Sequence, residues 1–347
     1  MRIAVLVNVF AGISYKTVAE SVASGLQMVG HDVNLMRLYF NYGMSRQYAW
    51  SIYDAVILVD VPRRMIVHEA GAISTQAPAV VYGITEGRLV GQDYTGIMVP
   101  HAVVAISKYA YEMLKLSNVP NVVGYVHHMV PPDIYNYAMG IKEVRKQRYF
   151  LYYGGSWRRK SLDDIVAAWV YLFHTEPLMR RFKLFIVSDR VPNKYGLTET
   201  DLRMFNIYRL SYPMDRATLI RLISGAYAVL LPSKIEGFGM PVIEAPALGT
   251  PVITLDCPPM NEVELPSIIK VPARCFAGQE QYDPAGPDIY FKPHVFDRRD
   301  LAEVLFTTAS MEPEEIEKLA VEGMKAALEK YPPTRYEEIL KVAGLLT

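Results

Sequence analysis

Two glutamates stand eight positions apart around a glycine loop, in the stretch SKIEGFGMPVIEAPALG (233–249). Glu236 precedes the glycines, and Glu244 lies one turn into the helix predicted after them. Gly237 and Gly239 permit backbone conformations that expose N–H groups, and the first turn of the helix adds more N–H groups aimed at the same place. Such a site favours an anion, while carboxylates beside it accept hydrogen bonds from hydroxyl groups. Phosphate together with polyol hydroxyls describes a nucleotide sugar.

A strand before this loop and a short helix after it must position the two glutamates. The apolar run Tyr227–Leu231 predicts the strand, Pro241 suits the first position of the helix, and Gly249 suits its C-terminal cap. Pro246 falls inside the helix, where its ring removes one backbone hydrogen bond, so we expect a kink there.

The same alternation of β-branched runs and helical segments extends through the whole chain. Six strands are predicted in the first half: Ile3–Val9, Val33–Leu38, Ala55–Asp60, Ala79–Ile84, Val103–Ile106 and Val122–Val126. After a proline-led segment at 131–148, which we interpret as a linker, the alternation begins again. Two successive β/α series predict an α/β protein with two doubly wound domains, residues 1–140 and 149–331.

Two further stretches lie at or beyond the end of the second series. Thr334 and Glu337 form a capping-box pattern that predicts a C-terminal helix. We expect this segment, residues 332–347, to pack back on the N-terminal domain. Residues 267–294 are rich in proline and glycine without a period, and their sequence assigns no element.

Composition limits the class of protein. The 36 basic and 36 acidic residues leave no net charge, which argues against a nucleic-acid partner. No stretch approaches the roughly 20 apolar residues of a membrane span, and the N-terminal apolar run suits a buried strand better than a signal peptide. Cys257 and Cys275 are most simply two free thiols in a reducing compartment, with a disulfide between them as the alternative. We therefore expect a cytoplasmic protein.

Residues 214–263 resemble the donor-binding signature of retaining GT-B glycosyltransferases, close to glycosyltransferase family 4. The resemblance rests on a strand, then PSKIEGFGMPVIEAPALGTPV, then a loop ending in CPPMNEV. It implies the GT-B fold, in which two Rossmann-like domains face each other across a cleft. The donor then belongs to the C-terminal domain and the acceptor to the N-terminal one. The resemblance also implies that Glu244 binds ribose hydroxyls and Glu236 the donor sugar. The loop residues expected to line the donor are Gly237, Phe238, Gly239 and Met240.

The stretch LYYGGSWRRKSLDDIVAAW (151–169) is similar to a second donor-binding element of the family, a strand, a glycine loop and a helix start. In that element the family uses basic side chains to neutralise the diphosphate of the donor. Lys160 falls on the family's lysine position. Gly155 stands near the place of the usual arginine, so Arg158 or Arg159 is expected to replace it. The predicted catalytic residues are Lys160, Arg159 and Glu236.

The acceptor side carries weaker signals. FAGISYKTVA resembles the family's first glycine loop, with Gly12 in place of a double glycine. Many relatives carry a histidine after the fourth strand, whereas this chain has Thr85 and Glu86 there. Glu86 is therefore a candidate general base or acceptor anchor, with an exposed loop carboxylate as the alternative. His101 is a second candidate for the acceptor side, with a purely structural role as the alternative. Three histidines remain unranked: His68, His127 and His128.

The sequence contains no D-x-D, no G-x-G-x-x-G and no zinc spacing, so we expect neither a metal nor a cofactor. The predicted reaction is retaining transfer of a sugar, hexosyl transfer by preference, from a UDP-, GDP- or ADP-sugar to a carbohydrate, lipid or other small acceptor. Lys160, an arginine and the 237–241 loop would hold the diphosphate. The alternatives are a non-catalytic nucleotide-sugar-binding relative and a sugar-nucleotide epimerase of the same fold. The aromatic and basic stretch 37–50 either packs, lines an acceptor groove or touches the inner membrane face. The oligomeric state is not indicated.

Overall fold

The computed structural model describes residues 1–155, 157–190, 196–283 and 286–347. Two six-stranded parallel sheets form its framework, and helices alternate with their strands. No helix in these ranges combines the length and apolarity needed to cross a bilayer.

The N-terminal sheet has the strand order β2-β1-β3-β4-β6-β7, and all its pairs are parallel. This part of the chain contains β1 (Arg2–Asn8), α1 (Ile13–Met28), β2 (Asp32–Leu38), β3 (Ala55–Asp60), α2 (Arg64–Ile73), β4 (Ala79–Gly83), β5 (Arg88–Leu89), β6 (Ala102–Ala105), α3 (Lys108–Leu116), β7 (Val122–Tyr125) and α4 (Pro132–Met139). The six predicted strands are confirmed to within one residue at each end. β1, β3 and β4 are buried along almost their whole length, as expected of parallel strands covered on both faces.

The C-terminal sheet has the strand order β10-β9-β8-β11-β12-β13, again all parallel. Its part of the chain contains β8 (Tyr149–Tyr153), α5 (Leu162–Thr175), β9 (Lys183–Val187), α6 (Glu199–Met204), β10 (Ile207–Leu210), α7 (Arg216–Gly225), β11 (Ala228–Leu231), α8 (Pro241–Ala247), β12 (Val252–Leu255), β13 (Ile268–Val271), β14 (Gln281–Asp283), β15 (Gly286–Phe291), α9 (Arg298–Ala309), α10 (Pro313–Lys330) and α11 (Glu338–Val342).

Each sheet has one point at which the chain order reverses. In the N-terminal sheet β1 lies between β2 and β3, and in the C-terminal sheet β8 lies between β9 and β11. Loops that leave the carboxyl ends of the strands beside such a point run in opposite directions and open a crevice, which is where ligands bind in doubly wound sheets. The topology therefore places the loops after β8 and β11, which carry the predicted donor residues, on the two sides of one crevice.

A small antiparallel sheet joins the two domains. Its order is β14-β15-β5, so a strand of the N-terminal part pairs with one from the unassigned stretch 267–294, in the register Leu89 with Ile289. Beside it, Arg63 holds Asp288 with two hydrogen bonds of 2.6 and 3.0 Å. The described residues of the unassigned stretch thus contain three strands, and two of them belong to this connection.

A carboxylate makes the second connection. Glu262 of the C-terminal domain accepts hydrogen bonds from the backbone N–H groups of Lys108 (2.8 Å) and Tyr109 (2.7 Å), which open α3. A negative charge at a helix N-terminus is favoured by the helix dipole and by the unpaired N–H groups there. The same carboxylate lies 3.1 Å from His127 Nε2.

Two predictions about helix boundaries are wrong. The segment 131–148 is not all linker, because α4 forms inside it: Pro132 suits the first turn, and Ile134 and Ala138 are buried one turn apart. The capping box at Thr334 and Glu337 does not form. A 3₁₀ turn, Pro333–Glu337, begins there instead, with no side-chain cap.

The C-terminal segment contacts α1. A Cβ on Gly25 would lie 2.4 Å from the carbonyl oxygen of Pro333, so glycine is required for this approach. Tyr336, fully buried, accepts a hydrogen bond from the backbone of Met129 at 3.2 Å.

The interpretation of Cys257 and Cys275 as free thiols is also wrong. The two form a disulfide with their Cα atoms 5.5 Å apart. Cys257 follows β12 and Cys275 follows β13, which are neighbouring parallel strands. Their carboxyl ends meet at one edge of the sheet, and this brings together two cysteines that are 18 positions apart in sequence.

Candidate functional site

A cavity of about 440 Å³, which we call the cleft cavity, opens between the two domains. The first turns of α1, which follows β1, and the loop that follows β4 line it from the N-terminal side. The loops that follow β8, β10 and β11 line it from the C-terminal side. Its walls are therefore the carboxyl-end loops of both sheets, at the positions where the strand orders predict a crevice.

Two of the cations and two of the carboxylates that line this cavity are paired with one another. A single 3₁₀ turn, Arg158–Lys160, carries both cations. Lys160 Nζ pairs with Glu236, and Arg159 lies 3.6 Å from the same carboxylate through Nη1. Arg159 Nη2 also lies 2.6 Å from Glu86 Oε1, in the other domain. The structure thus brings together Lys160, Arg159, Glu236 and Glu86, all four of which were singled out from sequence.

The backbone fixes these two donor loops against each other, since the N–H of Lys234 donates to the carbonyl oxygen of Arg159 at 2.7 Å. Glu236 is only 5% exposed. Burial alone would raise the pKa of its carboxyl, but Lys160 and Arg159 outweigh burial and hold that pKa below its usual range. Glu236 is therefore ionised at neutral pH and accepts hydrogen bonds only.

The glycine loop packs closely against the N-terminal domain. A Cβ on Gly237 would lie 3.1 Å from the carbonyl oxygen of Thr85, and Ser107 Oγ donates to the Gly237 carbonyl at 2.7 Å. Gly239 has a φ of +84°, a conformation that favours glycine. The backbone N–H groups of residues 237–240 make no hydrogen bond to any residue that the structure describes. These N–H groups, in a loop that lines the cavity, are available to an anion.

Glu244 lies in the first turn of α8 and is 1% exposed. Its two oxygens have different partners: Arg216 Nη2 at 3.2 Å and the hydroxyl of Tyr153 at 3.0 Å. Burial, then Glu244 itself, raises the pKa of Tyr153, so this side chain stays a hydrogen-bond donor. Pro246 lies inside α8, one residue before the helix ends at Ala247.

Arg216 was missed by sequence reasoning. It is the first residue of α7, at the carboxyl end of β10, and it also binds Asp133 of α4 at 2.7 Å. Burial would lower its pKa, but Glu244 and Asp133 outweigh this and raise it. The signal in the sequence was a basic residue at the start of a helix that follows a parallel strand.

The N-terminal wall contributes Tyr15 next to Glu86. Burial raises the pKa of the Tyr15 hydroxyl, and the nearby charges of Glu86 and Asp60 raise it further. Asp60 ends β3, and burial raises the pKa of its carboxyl to about 6, although the N–H of Val61 and the charge of Arg63 act against this. Sequence reasoning missed both Tyr15 and Asp60, because nothing local distinguishes them.

Three predicted residues do not line the cleft cavity. Gly12 is the N-cap of α1, and its neighbour Ile13 lines the cavity instead. Arg158 lines a different cavity, whereas Arg159 lines the cleft cavity together with Lys160. His101 lies outside both cavities, with Nε2 2.9 Å from the carbonyl oxygen of Ala343. His101 therefore has a backbone partner in this structure and does not line the cleft cavity.

Two of the unranked histidines have structural partners. His128 is fully buried beside Tyr336, and burial lowers its pKa to about 3. His127 pairs with Glu262 at the domain contact. Within the described ranges, one group of three potential metal ligands lies close together, namely Cys257, Cys275 and His294, and both sulfurs belong to the disulfide.

Residues 147–270 match the model of the family described as Glycosyl transferases group 1. This range contains the C-terminal wall of the cleft cavity. The O-antigen chain mannosyltransferase RfbU of Salmonella typhimurium is 33% identical to this chain over 125 residues. That match covers 35% of this chain and 34% of the relative, so it spans about a third of each protein.

Solved structures with the same fold cover more of the chain. An α,α-trehalose-phosphate synthase from Burkholderia vietnamiensis aligns with a TM-score of 0.66 at 12% identity, over 99% of both chains. HepE of Anabaena, solved with UDP and glucose, aligns with a TM-score of 0.62 at 12% identity over both full chains. TarM of S. aureus, solved with UDP, aligns with a TM-score of 0.56 at 15% identity, over 83% of this chain and 55% of its own. The chain has the GT-B fold, as predicted.

Proposed function

We propose that this protein is a retaining glycosyltransferase that moves a sugar, a hexose by preference, from a nucleotide-sugar donor to a carbohydrate, lipid or other small acceptor. The cleft cavity carries the proposal. It collects three cations, three carboxylates, and loop N–H groups that have no partner among the described residues, between the domains of a GT-B fold. Its C-terminal wall lies in the segment that matches the glycosyltransferase family.

The donor's diphosphate would lie against Lys160 and the N–H groups of residues 237–240. Lys160 is paired with Glu236, so donor binding exchanges one partner for another: the ammonium turns to a phosphate oxygen, and the carboxylate accepts from sugar hydroxyls. Glu244, held by Arg216 and Tyr153, would present its oxygens to the ribose. UDP is the nucleotide in the HepE and TarM structures, and the Salmonella relative is a mannosyltransferase. UDP-, GDP- and ADP-sugars all remain candidate donors.

The hard step is departure of the nucleoside diphosphate, which gains negative charge as the sugar becomes oxocarbenium-like. Lys160 and Arg159 sit on one turn and are held by Glu236 and Glu86, so they are in place before that charge develops. Preorganised charges of this kind usually supply the greatest share of an enzyme's rate enhancement. The acceptor hydroxyl would attack from the face that the diphosphate leaves, and the leaving phosphate would take its proton. Neither a metal ion nor a protein nucleophile is needed in this scheme.

Glu86 and Tyr15 form the wall on which the acceptor would lie. Because Glu86 is paired with Arg159 across the cleft, a charge on the acceptor side is linked directly to the cation that faces the diphosphate. We propose that Glu86 orients the acceptor hydroxyl.

A cytoplasmic location, with peripheral contact at the inner membrane face, remains part of the proposal. Tyr39 and Tyr42 are 57% and 63% exposed, whereas Trp50 is fully buried, so only part of the stretch 37–50 is packed. The disulfide is compatible with an intracellular protein from a hyperthermophile, where such bonds are common. The sequence's low content of asparagine and glutamine and its 23 prolines agree with a thermophilic source.

The test is a panel of UDP-, GDP- and ADP-sugars, each incubated with the protein with and without a strong chelator. We expect one donor to release its nucleoside diphosphate at the same rate in both conditions. With water as the acceptor, proton NMR of the released sugar, recorded before it mutarotates, should show that the anomeric configuration of the donor is kept. Loss of activity in chelator with recovery on adding metal would overturn metal independence, and an inverted product would overturn retention.

The same panel separates the alternatives. A donor that binds but is never cleaved identifies a non-catalytic binding protein. A donor converted into a different nucleotide sugar identifies an epimerase.

A further inference from the structure

A second, larger cavity of about 990 Å³ lies on the C-terminal domain, and we call it the outer cavity. Four parts of the chain line it: the start of α5 with the 3₁₀ turn before it, Lys234, the loop 272–281, and residues 293–300. Arg159 lines both this cavity and the cleft cavity, so one side chain separates them. Nothing in the proposed reaction uses this space.

The outer cavity is cationic. Five basic side chains line it against three carboxylates. One of those carboxylates, Asp164, is already neutralised, because Lys234 Nζ lies 2.8 Å and Arg298 Nε 2.6 Å from its two oxygens. Burial alone would raise the pKa of Asp164, but these two cations outweigh burial and hold it below the usual range.

Arg158 and Arg274 are the cations left over. Neither guanidinium makes an ion pair or hydrogen bond with a residue in the described parts of the chain, although both line the cavity. An arginine offers a planar fork of donors that fits phosphate oxygens in pairs. Two such forks in one concave site favour a phosphate group.

The wall that carries Arg274 is fixed. Its backbone pairs with Val295 through two hydrogen bonds of 2.8 and 3.0 Å, and the next residue, Cys275, is tied to Cys257 by the disulfide. The opposite strand is anchored where His294 N donates to the carbonyl oxygen of Lys234 at 2.8 Å. Arg274 is therefore held on an ordered frame, which reduces the entropy lost when it binds a ligand.

The volume of the cavity matches that of sites that hold whole organic ligands. Besides the cations it presents the carboxylates Asp297 and Asp300, which can accept hydrogen bonds from hydroxyl groups, and the ring of Phe296. Phosphate-binding forks beside hydroxyl acceptors describe a polyol that carries a phosphate monoester. We propose that the outer cavity binds a sugar phosphate, with Arg158 and Arg274 on the phosphate.

Calorimetric titration of the full-length protein with glucose 6-phosphate tests this, with glucose and inorganic phosphate as separate probes. We expect glucose 6-phosphate to bind more tightly than either probe. Arg274→Ala should weaken this binding roughly tenfold or more, because it removes a charge-assisted contact. Arg299→Ala is the matched control: this arginine is exposed on the same helix start as Arg298 but does not line the cavity, and it should bind as wild type does.

The Lys160→Ala variant shows which cavity binds glucose 6-phosphate, because Lys160 lines the cleft cavity and not the outer cavity. Glucose 6-phosphate should bind this variant with unchanged affinity. Loss of binding in Lys160→Ala with none in Arg274→Ala would place the sugar phosphate in the cleft cavity and overturn the proposal. So would equal affinity for inorganic phosphate, or the absence of any binding. None of these outcomes depends on transferase activity, so the proposed function is tested separately.

Discussion

The two domains rest on sheets of nearly the same design, but they contribute to the cleft in different ways. The C-terminal wall comes mainly from two adjacent loops, after β8 and β11, that carry Lys160, Arg159 and Glu236. The N-terminal wall is assembled from residues after separate strands, among them Tyr15 and Glu86. A diphosphate needs a local device, a glycine loop at a helix start with a cation beside it, and such a device is visible in sequence. An acceptor needs only scattered hydroxyl and carboxylate groups, and these leave no comparable pattern.

The contacts between the domains add to this contrast. β5 pairs with β15, Arg63 binds Asp288, and Glu262 caps α3. The N-terminal wall is thus held in place by residues of the C-terminal domain, and its geometry depends on both domains.

The largest expected effect tests the C-terminal wall. Lys160→Ala should lower turnover roughly a hundred- to a thousandfold, the loss seen when one preorganised donor at a developing anion is removed. Lys160→Arg should recover only part of it, since a planar fork does not replace a compact ammonium in a fitted site. Steady-state kinetics with the donor found in the panel measures both.

Lys318→Ala serves as the control, because this lysine is exposed on α10, away from the cleft. Near wild-type turnover in Lys160→Ala would place the leaving-group charge elsewhere and would remove the contrast between the two walls.

A smaller effect separates the two glutamates of the C-terminal wall. If Glu244 holds the ribose, Glu244→Gln should weaken binding of the free nucleoside diphosphate about ten- to a hundredfold, the cost of one hydrogen bond to a charged group. Glu236→Gln should leave that binding unchanged or tighten it, because Lys160 loses its competing partner. Calorimetric titration with the bare diphosphate compares the two. Matching titration curves for the two variants would contradict the division of roles.

The smallest effect concerns Asp60 on the N-terminal side and appears as a dependence of stability on pH. Burial raises the pKa of this carboxyl to about 6, above the value of about 3.9 in an unfolded chain. The folded state therefore binds the proton more tightly. Ionisation of the buried Asp60 carboxyl lowers the free energy of unfolding. This loss of stability is absent below pH 4, grows between pH 4 and 6, and is complete above pH 6.

Asp60→Asn removes this cost, which is on the order of 2 to 3 kcal/mol. We expect the variant's melting temperature to exceed that of wild type by several degrees at pH 8 and to match it near pH 4. Glu112→Gln, at an exposed position on α3, should show no such difference. A constant offset between Asp60→Asn and wild type at all pH values would contradict the argument.

The sequence alone determined the parts of this protein that depend on neighbouring residues. Strands and helices follow from the local spacing of apolar side chains, and the six N-terminal strands were correct to within one residue. The glycine loop is equally local, since Gly239 takes a positive φ, one of the backbone conformations that glycine permits. The family match falls on the segment where that local pattern is strongest.

The tertiary structure decided what lies between distant segments. Neighbouring side chains on a 3₁₀ turn point about 120° apart, so Arg159 reaches the cleft cavity whereas Arg158, the residue before it, lines the outer cavity and not the cleft cavity. Arg216 meets Glu244, Arg63 meets Asp288 and Cys257 meets Cys275 only because strands that are remote in sequence end at the same edge of a sheet or face each other across the cleft. Such pairings depend on the three-dimensional positions of the carboxyl ends of the strands, which no local periodicity encodes.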